Sequence, residues 1–309
     1  MKQVVLIIGN GFDLDLGLPT KYSDFANSKN QEWIDFIDLT GTVNKQTYPT
    51  KFVDHMLNAR LYENWFDIEE EIFKFACTHE NVPQKQIGLI KYQFETLVER
   101  LRLYINRVAQ PQNKKDGSLA EVLLNNLNLT NRPVEIYTFN YTDCFYVSGI
   151  KKNSNINLRH IHGSLSYDMT LGGRTYGDFK MNEKLDFMYK PTVGIWQDIL
   201  RQNLESASEV IVFGHSLNIF DFCYFKDFLN VVVSGNQSCK HLTIICKDEK
   251  SENDIKHNID EVKRIFESDI CFSKLANNIE IRFIYTDLWK LKDPFTVSQF
   301  KELCSRMNY

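Results

Sequence analysis

The fold is decided by the stretch Val4-Val5-Leu6-Ile7-Ile8-Gly9-Asn10-Gly11-Phe12-Asp13. Five successive apolar residues, most of them β-branched, suit a strand covered on both faces, as in a parallel sheet flanked by helices. The glycines directly after it allow backbone conformations closed to other residues and a close approach to a ligand. A helix starting there would present unbonded N–H groups to a phosphate. The dinucleotide fingerprint Gly-x-Gly-x-x-Gly is nevertheless incomplete. Leu14 stands at its third glycine position, and no second strand bearing a ribose-binding acid follows. Taken alone, the motif reads equally well as a tight strand-to-helix turn.

Outward from this stretch, further β-rich apolar runs occupy residues 134–139, 158–161, 209–213, 241–246 and 279–285. Helical patterns separate several of them, at 221–229 and 258–266. Strand alternating with helix predicts an α/β fold, a Rossmann-like and mostly parallel sheet of about six strands. Between the first two runs the pattern changes. Val53, Leu57, Leu61, Trp65, Ile68 and Ile72 step by three and four within residues 52–75. Ile90, Phe94, Leu97, Leu101, Tyr104 and Val108 do the same within residues 87–108. Each series predicts an amphipathic helix of several turns, and residues 119–127 predict a third. No Gly/Ser/Pro-rich linker flanks this region. Residues 20–130 are therefore expected to form a large helical insertion subdomain after the first strand, on a Rossmann-like domain built from 1–19 and 131–309. Residues 110–117, with the turn Lys114-Lys115-Asp116-Gly117, are the expected flexible loop.

Composition bounds the function. The 309 residues are 43% hydrophobic and 25% charged, as in ordinary globular proteins. With 36 basic and 40 acidic residues, the net charge of −4 argues against a nucleic-acid partner held by phosphate neutralisation. No run approaches a membrane span, and the apolar run ending at Ile8 is too short for a secretory core. A cytoplasmic protein with no membrane partner is expected. The 7 cysteines are scattered and odd in number, with no Cys-x-x-Cys pair, which predicts free thiols and no structural zinc.

The chemistry-bearing motifs cluster at strand ends, where open α/β sheets bind their ligands. After the second run comes Thr138-Phe139-Asn140-Tyr141-Thr142-Asp143, where Asp143 either contacts a ligand or caps the next helix. After the third comes His160-Ile161-His162-Gly163. Two histidines at i and i+2 share a strand face and could hold a metal. No acid lies nearby except Asp168, so an acid/base role for His162 is preferred and no metal is expected. After the fourth comes Gly214-His215-Ser216-Leu217, with Asp221 following as a helix N-terminal acid. Asn218 stands where the nucleophile elbow Gly-x-Ser-x-Gly would need its second glycine. In the insertion, Glu69, Glu70 and Glu71 follow Asp67. Glu70 and Glu71 read as a solvated helix face, and Glu69 as a cleft acid needing a partner or a ligand hydroxyl.

In this order, the motifs resemble the AbiH family of bacterial abortive-infection proteins. The likeness rests on Gly9-Asn10-Gly11-Phe12-Asp13 with Gly17-Leu18-Pro19-Thr20 and Tyr22-Ser23-Asp24-Phe25. Trp65-x-Asp67-Ile68-Glu69, Phe139-Asn140-Tyr141-Thr142-Asp143, His160-x-His162-Gly163 and Gly214-His215-Ser216-Leu217 with Asp221 extend it. That family in turn resembles, distantly, the sirtuin-like NAD-binding fold. The resemblance implies that Asn140 positions the ribose and an attacking water, and that His162 acts as the base. It implies NAD contacts from Gly9, Asn10, Gly11, Phe12, Asp13, Thr138, Asp143, Gly214, His215, Ser216 and Asp221. A sirtuin deacylase carries a four-cysteine zinc ribbon, which this chain lacks, so the implied reaction is hydrolysis of NAD in phage defence, without a metal. Two alternatives stay open: a non-catalytic nucleotide-binding sensor, and a metal-dependent nuclease using Asp13, Glu69, Asp143 and His162. The expected partners are a small nucleotide, further copies of the chain, and a phage-derived trigger or companion defence protein.

Overall fold

A computed structural model describes residues 3–42, 51–62, 67–79, 82–167, 169–173, 180, 182–190, 194–236, 239–266 and 268–308. The chain divides into two compact units. One comprises Met1–Leu18, Ala109–Ser164 and Thr192–Tyr309; the other comprises Pro19–Val108 and Leu165–Pro191.

The first unit is an α/β domain around one six-stranded sheet. Its strands are β1 (Val4–Ile8), β2 (Val134–Thr138), β3 (Ile156–His160), β4 (Glu209–Phe213), β5 (His241–Cys246) and β6 (Glu280–Tyr285). Their order is β3-β2-β1-β4-β5-β6, and every pairing is parallel. Every side chain of β1, β2 and β4 is buried, as strands in the middle of a sheet covered on both faces require. On one face, Val5, Ile7, Val210 and Val212 share a core with Leu200, Phe228, Ile255 and Ile259 from the helices Gly194–Ser206, Lys226–Val233 and Glu249–Phe266.

The edge strand β3 starts two residues before the run that announced it. Only its core side reads as apolar. Asn157 donates to Glu135 Oε1 at 2.7 Å and Arg159 pairs with the same carboxylate, so polar side chains carry half of the strand. The helical pattern at 221–229 resolves into a 3₁₀ turn, Phe222–Tyr224, and the helix Lys226–Val233. Residues 110–117 are pinned to their own unit: Lys115 N–H donates to Leu16 O at 2.7 Å, and Trp289 Nε1 to Gly117 O at 3.2 Å.

The second unit is helical, and its longest element among the described residues is Gln84–Val108. Ile90, Phe94, Leu97, Leu101, Tyr104 and Val108 are all buried, so its apolar stripe is its packing face. The series at 52–75 is not one helix. It forms Lys51–Tyr62 and Ile68–Thr78, because Asp67 Oδ1 accepts the N–H groups of Glu69 and Glu70 at 2.9 and 3.3 Å and so starts a new helix. Leu61 is correspondingly exposed, and Trp65 lies outside the described residues. Glu71, expected on a solvated face, is buried instead. Its carboxylate takes Lys74 Nζ at 2.7 Å and His55 Nε2 at 2.9 Å, two partners that offset its desolvation. Glu69 also finds a partner within this unit: Lys190, itself buried, places Nζ 2.7 Å from Glu69 Oε2.

Candidate active site at the strand ends

The order of the strands reverses direction between β1 and β4, and open α/β sheets bind ligands outside the carboxyl ends at such a switch point. Here the turns after β1 and β4 meet. Gly9 N–H donates to Phe213 O and Gly11 N–H to Gly214 O, both at 2.9 Å. A Cβ on Gly11 would stand 2.6 Å from Gly214 Cα, so only glycine permits this approach. Gly214 also holds φ +63°, in the left-handed region. The glycines thus serve a backbone-to-backbone junction. This corrects the expectation that the amides here face a phosphate, because those of Gly9, Gly11 and Phe12 are bonded within the protein; Phe12 N–H donates to Gly9 O at 3.0 Å. The Phe12 ring is likewise core, packed edge-on against Phe213 at 5.1 Å. Asn10 and Ser216 remain exposed on either side of the junction.

Asn140 sits just past β2 and ties that strand end to the junction. Its Nδ2 donates to Gly9 O at 3.1 Å, while its backbone N–H donates to the buried Thr138 hydroxyl at 3.1 Å. Thr138 is therefore a support for Asn140 beneath the surface. Asp13 lies buried below the turn, with Oδ2 accepting the Thr142 hydroxyl at 2.7 Å. Burial raises its carboxyl to about 7, although Thr142 and Asn140 pull the other way. Asp143 is exposed and caps the helix Cys144–Ser148 through the N–H groups of Phe145 and Tyr146, at 2.8 and 3.1 Å.

The two histidines of β3 part company. His160 Nδ1 donates to Asn140 O at 3.2 Å, and burial lowers its affinity for a second proton. His162, beyond the strand, is buried against Phe139, with ring centroids 5.3 Å apart. Its Nε2 lies 3.2 Å from Asp221 Oδ1, and His215 Nε2 lies 3.5 Å from Asp221 Oδ2. One carboxylate therefore faces two imidazoles. The Phe139 ring is also 4.4 Å from that of His215 and 5.3 Å from that of Tyr224, which makes it the wall of this pocket of rings. In the sequence Phe139 stood inside the strand-end motif but carried no role of its own. Among the described residues, no group of three or more His, Cys, Asp or Glu side chains is arranged to hold a metal ion. Asp168 lies outside the described residues.

Comparison with known families adds the decisive observation. Residues 5–240, three quarters of the chain and every strand end just described, match the family model Bacteriophage abortive infection AbiH. The chain belongs to the AbiH family. No curated protein matches this AbiH chain. Among solved structures, it is similar to a Sir2 homologue mutant in complex with 2′-O-acetyl ADP ribose, at 13% identity and a TM-score of 0.38. That overlap covers 98% of the AbiH chain and 93% of the other, and is too loose to assign a ligand. Among the described residues, no helix of this AbiH protein is long and apolar enough to cross a membrane.

Proposed function

We propose that this AbiH protein acts in phage defence by hydrolysing NAD at the bond between nicotinamide and ribose, with Asn140 and His162 as its catalytic residues. What supports the reading is an amide, Asn140, bonded to the β1 turn and an imidazole, His162, beside the acid that follows β4, at the carboxyl ends of a Rossmann-ordered sheet where dinucleotides bind in this architecture. The reaction asks for what these groups supply. As the C1′–N bond breaks, its electron pair moves onto the pyridinium nitrogen and nicotinamide leaves neutral, so no acid is needed for departure. The ribose becomes oxocarbenium-like. Asn140 has its Nδ2 engaged with Gly9 O, so its Oδ1 is the atom that orients the water. His162 accepts that water's proton as the oxygen bonds to C1′, giving ADP-ribose.

Since the turn amides are bonded internally, the diphosphate would be met by side chains such as Asn10 and Ser216. The nuclease reading finds less support. Asp143 is engaged in capping, Glu69 in its pairing with Lys190, and Asp13 is a weak acid held near neutrality. The test is nicotinamide release from NAD by the purified protein, alone and with a chelator. Release that survives the chelator and falls at least about a hundredfold in both Asn140→Ala and His162→Ala, each still folded, is the expected result. Wild-type turnover in either variant overturns the assignment. NAD binding without release would instead make the protein a sensor.

A further inference from the structure

Acids stand at several helix starts, and Asp221 behaves differently from the others. Asp67 and Asp143 each accept two backbone N–H groups of the helix they begin. Asp221 precedes the turn Phe222–Tyr224 and makes no such side-chain bond. Its backbone is held instead, because Asp221 N–H donates to Asn218 Oδ1 at 3.2 Å and lies 3.3 Å from Asn218 O. The carboxylate is buried and turned toward His162 and His215, one oxygen to each. A buried carboxylate aimed at two imidazoles is costly unless they answer its charge.

The proton positions follow from the neighbours of each ring nitrogen. Leu217 N–H donates to His215 Nδ1 at 2.9 Å, so Nδ1 is the bare nitrogen and Nε2 carries the proton toward Asp221. Leu217 takes φ +49°, an unfavourable conformation for a leucine. His162 Nε2 lies 3.2 Å from a carboxylate oxygen, and this proximity assigns it the proton and leaves Nδ1 as the basic nitrogen. Tyr224 is the other titratable side chain whose ring lies near His162, at 6.1 Å.

Resting on the NAD-hydrolase reading, we infer that Asp221 is the positioning residue for His162. It fixes the Nε2–H tautomer, presents Nδ1 as the base, and stabilises the imidazolium formed when that base takes a proton. His215 is its second support, holding the other carboxylate oxygen so that the first stays on His162. Asp221 then belongs to the machinery behind His162, and not to the surface that touches NAD.

The experiment has two arms. In the first, ¹⁵N-resolved NMR of the imidazoles in the full chain reads the tautomers without any substrate. His162 and His215 are expected as Nε2–H tautomers, and Asp221→Asn is expected to lower the pH midpoint of His162 by about one unit, since the partner that favours its charged form is gone. An Nδ1–H tautomer at His162, or an unmoved midpoint, overturns the inference whether or not the protein hydrolyses NAD. In the second arm, kcat for nicotinamide release is expected to fall about tenfold or more in Asp221→Asn, with KM little changed and the acid limb of the pH profile displaced downward. Adding Asp221→Asn to His162→Ala is expected to cost nothing further, and an additional loss overturns the role. Should Asp221→Asn fail to fold, His215→Gln carries the same test, with a smaller loss and the same direction of pH displacement. An inert wild type whose imidazoles show the expected tautomers and shift sinks the hydrolase reading alone.

Discussion

At the residue scale, Asp13 is the most unusual group in the α/β unit. Its carboxyl is buried and raised to about 7, so the folded protein keeps a proton that the unfolded chain releases near pH 4. Its contribution to stability is therefore complete at acid pH and declines as the pH rises from about 4 to 7, by something on the order of 4 kcal/mol. Asp13→Asn keeps an acceptor for the Thr142 hydroxyl and removes the titration. We expect the variant to gain stability over the wild type across that interval. Urea unfolding at pH 4.5, 5.5 and 7 checks this, and parallel profiles for the two proteins would refute it. Asn140 and His162 were legible in the sequence as strand-end residues. Asp13 was legible too, but as a ligand contact, because burial depends on what the following turn packs against and no local pattern reports it. The partnership of Asp221 with two histidines was hidden for a similar reason. His162 follows β3 whereas His215 and Asp221 share the segment after β4, and only the parallel order β3-β2-β1-β4 brings the two segments to one edge of the sheet.

At the scale of elements, the junction of the β1 and β4 turns is the feature most sensitive to change. A Cβ at residue 214 would lie 2.4 Å from Gly11 Cα and 2.5 Å from Phe12 N, in a backbone conformation that already disfavours side chains. Backbone cannot rotate away as a side chain can. Gly214→Ala should therefore cost about 3 kcal/mol or more, read as a lowered thermal midpoint. A variant as stable as the wild type would show that the two turns are not packed this way. The strands were easy to read where both faces are buried. The runs at 209–213 and 241–246 coincide with β4 and β5 because nearly all of their side chains are buried, Thr243 included. The edge strand β3 was read short because half of its side chains answer Glu135 and not the core. The split of residues 52–75 was readable only from Asp67 as a cap, since the three-and-four spacing of apolar residues runs straight across it. Asp67→Ala should weaken the helix Ile68–Thr78 by about 1 kcal/mol, visible as faster amide exchange in its first turn.

At the scale of the whole chain, its last helix closes the α/β unit. Arg306, in Pro294–Asn308, binds Glu209 at the start of β4 through Nε to Oε2 at 2.8 Å and Nη2 to Oε1 at 3.2 Å. Glu209 is 1% exposed and also accepts the Thr243 hydroxyl at 2.9 Å. Removing the guanidinium leaves a buried carboxylate without its cation, so Arg306→Ala should cost about 3–5 kcal/mol. Chemical denaturation checks this, and a loss below about 1 kcal/mol would mean that Glu209 is solvated. This fastening lies at the amino-terminal edge of the sheet, opposite the strand ends that hold Asn140 and His162. That other edge carries the proposed hydrolysis of NAD. Its most direct test is ¹H NMR of NAD incubated with the purified full chain, which identifies products without any coupled enzyme. Equal amounts of free nicotinamide and ADP-ribose are expected to appear together. Cleavage to nucleoside monophosphates, or NAD that binds and persists unchanged, would contradict it.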